Sequence, residues 1–137
     1  METRITILGN PITKKNHQRI IRSKKKSTND QDIPRLMVIQ SARYIKYERE
    51  SLKQIKSLEH PIETAVNVEC VYYMENRRRV DLVNLLEATD DILVRGGILK
   101  DDCSKIVAAH DGSRVLYDKE SPRVEITITE MSEWQSE

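Results

Sequence analysis

The sequence predicts an α/β (α+β) fold, a small mixed β-sheet with two main helices packed on it. Three observations predict it. Apolar residues switch between the two-residue repeat of strands and the 3.6-residue repeat of helices, in the order β-α-β-α-β-β. A chain of 137 residues favours one domain with one core, spanning 1–137. With no Phe and one Trp, that core is aliphatic, built from Ile, Val and Leu.

"TRITILGNP" reads as a first strand that stops at Gly9-Asn10-Pro11. Residues 14–36 are basic and polar, with "STNDQD" in the middle, and predict a mobile basic loop. Residues 38–58 place Ala42, Ile45, Leu52 and Ile55 at helical spacing between Lys and Arg. This helix ends before His60-Pro61, because the residue before Pro avoids helical backbone. "TAVNVECVYYM" alternates, with Val66, Val68, Cys70, Tyr72 and Met74 on one side and Asn67 and Glu69 on the other. Residues 82–94 predict the second helix. Residues 104–118 are β-rich with a turn at Asp111-Gly112, and Ser121-Pro122 is a further turn. "RVEITITEM" is a closing strand with Val124, Ile126 and Ile128 inward, and "SEWQSE" at 132–137 is a frayed tail.

Charged residues make up 33% of the chain and the net charge is only +1, but the charges are segregated. Lys14 to Lys26 holds seven Lys or Arg and no acid, and Arg77, Arg78 and Arg79 form a second basic cluster. Segregation on a nearly neutral chain suggests a polyanion partner beside an acidic site. Lys14, Lys15, Arg19 and the three arginines are the candidate contacts to a nucleic-acid backbone. Cys70 lies in an apolar strand pattern, so Cys70 and Cys103 are expected as free thiols in a reducing, cytoplasmic setting. No apolar run reaches the roughly 18 residues of a membrane span, and a signal-peptide core is lacking. The sequence has no Walker loop, no GxGxxG and no CxxC, and its histidines lack zinc spacing. No organic cofactor is expected.

The stretch 80–102, "VDLVNLLEATDDILVRGGILKDD", holds six carboxylates. On a helix turning about 100° per residue, Leu82, Leu85, Leu86, Thr89, Ile92 and Leu93 share one broad face, which is the buried one. Asn84, Glu87 and Asp91 gather opposite. Asp81 sits at the helix N-cap position and Gly96-Gly97 ends the helix. A short loop then returns to Asp101-Asp102. Each acid alone is an ordinary solvated side chain. Together they are hard oxygen donors suited to Mg²⁺ or Mn²⁺. Such an ion orients water and neutralises the charge that builds on a phosphodiester during hydrolysis. A small polar chain of this kind is also helped by dimerisation.

"RRRVDLVNLLEATDDILVRGGILKDD" resembles the RusA family of Holliday junction resolvases, small homodimeric α/β endonucleases frequent in phages and prophages. The family pattern is a basic run, Asp-x-Asp-Asn, Lys three residues on, an Asp on the next helical turn, and a Gly-containing loop to Asp-Asp. Matching it are Arg77–Arg79, Asp81, Asn84, Asp91 and Asp101-Asp102, and "EITITEM" resembles the family's last strand. The resemblance implies a homodimeric, Mg²⁺-dependent endonuclease (Mn²⁺ substituting) that cuts four-way DNA junctions in recombination and repair. It implies that Asp81 and Asp102 ligate the ion, with Asp91 supporting or sharing that role. Two positions depart: Val83 stands where the family has its second Asp, and Glu87 where it has the Lys. Helical side chains lean toward the N-terminus, so Glu87 covers surface near residue 83 and reads as a carboxylate relocated by one turn. The expected catalytic and metal set is therefore Asp81, Glu87, Asp91 and Asp102. A branched-DNA-binding protein of the same fold without cleavage is the alternative reading.

Overall fold

A computed structural model of the chain describes residues 1–14, 18–23 and 35–131, with the backbone alone over 18–23 and 35–40. Nine elements follow in order among them: β1 (Glu2–Leu8), β2 (Gln18–Ser23), β3 (Arg35–Gln40), α1 (Ala42–Gln54), β4 (Val66–Met74), α2 (Leu82–Arg95), β5 (Val107–Ala109), β6 (Arg114–Tyr117) and β7 (Arg123–Glu130). The main sheet runs β1-β7-β4-β5, with β6 pairing β4 further along. β7 is antiparallel to both β1 and β4, whereas β5 and β6 are parallel to β4. The sheet is mixed, as expected, because α2 crosses over between β4 and β5.

Alternation sets the sheet's inner face. Val66, Val68, Cys70 and Tyr72 on β4, and Val124, Ile126 and Ile128 on β7, are all buried. They pack against Leu85, Ala88, Ile92 and Leu93 of α2. Burying Val, Ile or Leu side chains of this kind stabilises the fold by about 2 kcal/mol each. Cys70 is buried and Cys103 exposed, both as free thiols, and burial pushes the Cys70 thiol up to about 12.

Three expectations need correction. The basic loop expected over 14–36 contains β2, which pairs in antiparallel register with β3. "QRIIRS" and "RLMVIQ" are aliphatic at their centres, and the density of cations around them hid that pattern. The first helix is shorter than 38–58: it starts after Ser41, whose Oγ accepts from the Tyr44 amide, and stops at Gln54. Its buried stripe is Tyr44, Tyr47 and Ser51 rather than one through Ala42 and Ile45, and Ile45 is 46% exposed. The tail 132–137 lies outside the described residues.

The segments beside α2 are held by backbone bonds. Leu58 N donates to Gly97 O, Ile62 N to Ile98 O, Lys100 N to Ile62 O, and Val66 N to Ile106 O. The loop that carries Asp101 and Asp102 is thus clamped on both sides. Gly97 allows its entry: its φ is +75°, and a Cβ there would lie 2.7 Å from Cβ of Ser57. Inside the core, Thr89 Oγ1 donates to Leu85 O, so the Tyr72 hydroxyl must donate to Thr89 at 2.7 Å. Tyr72→Phe removes that bond and leaves Thr89 satisfied. It should lower unfolding free energy by about 1 kcal/mol with an unchanged denaturant slope, as urea denaturation will measure.

Candidate active site

Asp81 stands at the α2 N-cap with extended backbone, φ −90° and ψ 123°, but its side chain makes no capping bond. Instead its Oδ2 accepts from Asn84 Nδ2 at 3.3 Å, and the carboxylate is exposed. Six residues on, Glu87 is exposed on the same side as Val83, which is 71% exposed. Asp91 is half-buried and ion-paired with Lys14, whose ammonium also lies 5.9 Å from the centre of the Tyr44 ring. Lys14, expected among the DNA contacts, is thus seated at the acidic face. Lys15 lies outside the described residues. Arg19 is on β2 opposite Ile39.

At the far end of the loop, Asp101 Oδ1 accepts from the Asp102 amide at 2.8 Å. That bond makes Asp101 a local turn-former and leaves the Asp102 carboxylate exposed. Arg77, Arg78 and Arg79 are exposed just before α2 and line a cavity of about 650 Å³. None of the three makes an ion pair with a described residue.

A further pair escaped the sequence reading. Asp90 is 8% exposed, and its Oδ2 lies 2.9 Å from His110 Nε2, while His110 Nδ1 lies 2.8 Å from Val68 O. A carbonyl only accepts, so Nδ1 carries a proton. One proton must then lie between Nε2 and the carboxyl, whichever group nominally owns it. Both titrations agree with that retention. Burial raises the Asp90 carboxyl, and the charge of Asp102 adds to the rise against the pull of His110. For His110, burial disfavours the cation, but the bond and charge of Asp90 with the Val68 carbonyl outweigh it, and its titration is raised above 6.5. The signal was present: Asp90 falls between Leu86 and Leu93 at the i+4, i+7 spacing of the buried stripe. A carboxylate there needs a buried partner.

The structure therefore brings Asp81 to Asn84, Asp91 to Lys14, and Asp90 within electrostatic reach of Asp102. Among the described residues, no group of three or more His, Cys, Asp or Glu could hold a metal ion. Mg²⁺ is commonly held by one or two carboxylates with waters and substrate phosphates, not by an all-protein cage. The donors present fit that mode. Asp81 and Asp102 are exposed carboxylates, and Asp102 makes no side-chain ion pair among the described residues.

Carboxylates along one sheet-backed helix, beside a row of exposed arginines, are the arrangement that the sequence reading expected of a nuclease. The family profile described as Endodeoxyribonuclease RusA matches residues 9–129, and the chain belongs to that family. Membership places it among endonucleases of Holliday junctions. The matched span includes the arginine run, Asp81, Asn84, Asp91 and Asp102. No curated protein matches the chain. Among the described residues, no helix is long and apolar enough to cross a membrane.

The retained proton has a thermodynamic sign. With both titrations raised, the folded state binds more protons than the unfolded one, so stability falls as pH rises through them. The histidine part of this stabilisation is fully present below the unfolded pKa of about 6.5 and is lost above it, through the raised folded value. Thermal unfolding followed from about pH 6 to about pH 9 should show a falling midpoint, and His110→Asn should flatten the slope.

Proposed function

We propose that the chain is a homodimeric, Mg²⁺-dependent endonuclease, with Mn²⁺ substituting, that resolves four-way DNA junctions in recombination and repair in the cytoplasm. The observation that carries this reading is the placement of exposed carboxylates, Asp81 before α2 and Asp102 beyond it, beside the exposed Arg77–Arg79 run, all within the family match. When bound, the ion supplies an activated water and offsets charge on the phosphodiester. Asp81 and Asp102 hold it, with Asp91 and Glu87 completing the acidic set. The three arginines hold the backbone next to Asp81, with Lys15 and Arg19 extending that contact. Lys14, engaged by Asp91, places the start of the basic segment at the acidic face. Two identical sites about a two-fold axis suit the paired cuts that a junction requires.

One observation favours the second reading, a branched-DNA-binding protein without cleavage. Val83, apolar and 71% exposed, occupies the position where the family has an acid. Junction cleavage separates the two. Purified protein should nick a four-way junction in Mg²⁺ or Mn²⁺ and leave linear duplex largely intact. Tight junction binding with no cutting in either ion moves the conclusion to the binding protein.

Asp81→Asn and Asp102→Asn should lose more than the roughly 10- to 100-fold that an outer-shell group alone contributes at metal sites. Both should keep or tighten junction binding, since an anion near phosphates is removed. Replacing Arg77, Arg78 and Arg79 by Ala should weaken binding across sequences and reduce the salt slope by up to about 3. Glu87→Gln should cost as much as Asp102→Asn. Wild-type cleavage by Glu87→Gln at limiting Mg²⁺ would exclude Glu87 from the chemistry.

A further inference from the structure

Val115, Leu116 and Tyr117 are consecutive and 37%, 41% and 41% exposed. Successive strand residues point to opposite faces, so Val115 and Tyr117 share one face of the strand and Leu116 the other, and all three border one cavity. These three belong to β6, which pairs only with β4 among the described strands. Facing them are Arg77, Arg78 and Arg79, and the cavity of about 650 Å³ lies between. The Arg77 guanidinium sits 4.6 Å from the centre of the Tyr117 ring, so cation and ring form one stacked pair in the cavity wall. No Asp or Glu among the described residues lines the cavity.

Three clustered cations with no ion pair to a described residue favour an anion. An aromatic face backed by a guanidinium plane favours a flat, unpaired base. One ligand meets both demands: a nucleotide whose base is unstacked from its neighbours and whose flanking phosphates remain in place. A second copy of the chain meets them poorly. A two-fold contact on this patch sets each surface against itself and brings both arginine runs together, at a repulsive cost. We propose that the cavity between the arginine run and β6 takes an unpaired nucleotide at a DNA branch point, with the base on Tyr117 and Arg77 and the phosphates on Arg78 and Arg79. This rests on the junction reading above and adds a source of branch preference to it, because a pair at the branch point opens at lower cost than one stacked on both sides inside intact duplex.

The test uses the full chain in EDTA, titrated with a four-way junction, the same junction carrying abasic sites at the branch, and linear duplex. Tyr117→Ala should weaken junction binding about tenfold and change duplex binding by less than about twofold. The abasic junction should reproduce that loss with wild-type protein, and Tyr117→Ala should then add nothing. Tyr117→Phe should bind like wild type, and thermal unfolding will show that both variants are folded. A junction preference untouched by Tyr117→Ala, or an equal loss on junction and duplex, overturns the inference alone. So does a Tyr117→Ala variant whose sedimentation changes from dimer to monomer, since the patch is then a contact between copies. Equal affinity of the wild type for junction and duplex removes the junction reading, and this inference with it.

Discussion

Helix α2 carries a carboxylate into its own buried face, and the proton held between Asp90 and His110 is what makes that burial tolerable. An unpaired ionised carboxylate in such a place costs several kcal/mol or neutralises by taking up a proton. Here the proton comes with a partner anchored on the sheet, because His110 is also bound to the Val68 carbonyl of β4. The Tyr72–Thr89 bond makes a second polar tie between the same two elements. Together with the burial of Leu85, Ile92 and Leu93, these ties fix the rotation of α2 about its axis. Turning the helix by one residue, about 100°, would strand Asp90 from its partner. The outward orientation of Asn84, Glu87 and Asp91 is therefore a consequence of what α2 buries.

The second half of the site depends on a loop with little freedom. Gly97 turns the chain in left-handed conformation, and residues 58–62 bond it along one side. Val66 then bonds Ile106 at the entrance to β5. Asp102 returns to the neighbourhood of Asp90 because both ends of its loop are tied to the β4 side of the sheet. Backbone hydrogen bonding, not side-chain pairing, sets that position. This explains how a carboxylate can be exposed on a loop that is nevertheless held in position.

Much of this was legible in the sequence, and particular residues show why some was not. Alternation in β4 and β7 named the inward residues correctly, since one sheet face is apolar and the other polar. The acidic helix was equally clear, with its N-cap and Gly-Gly stop. In α1, two tyrosines form the buried stripe, and Tyr is ambiguous in a hydrophobic count because it has an apolar body and a polar tip. In β2 and β3, Lys and Arg obscure short aliphatic centres. Asp90 was missed because neighbouring acids were sorted by the outward face they shared, whereas its meaning lies in residue 110, which is distant in sequence. Periodicity places Asp90 on the buried stripe, but it carries no information on which distant residue meets it there.

The same distance explains how like charges one turn apart are tolerated. Glu87 and Asp91 lie at i, i+4, a spacing that costs an isolated helix a few tenths of a kcal/mol. On α2 no cation follows at helical spacing until Arg95, and Arg95 is engaged with Glu48 of α1. Compensation comes instead from Lys14, beyond the end of β1, whose ammonium rests between Asp91 and the Tyr44 ring. A cation delivered from another segment differs from one built into the helix. Its position depends on how residues 12–14, after Pro11, are held. The charge balance of the acidic face is thereby tied to the part of the chain richest in Lys and Arg. Position 87 is Glu, and the cation that the acidic face holds comes from another segment of the fold.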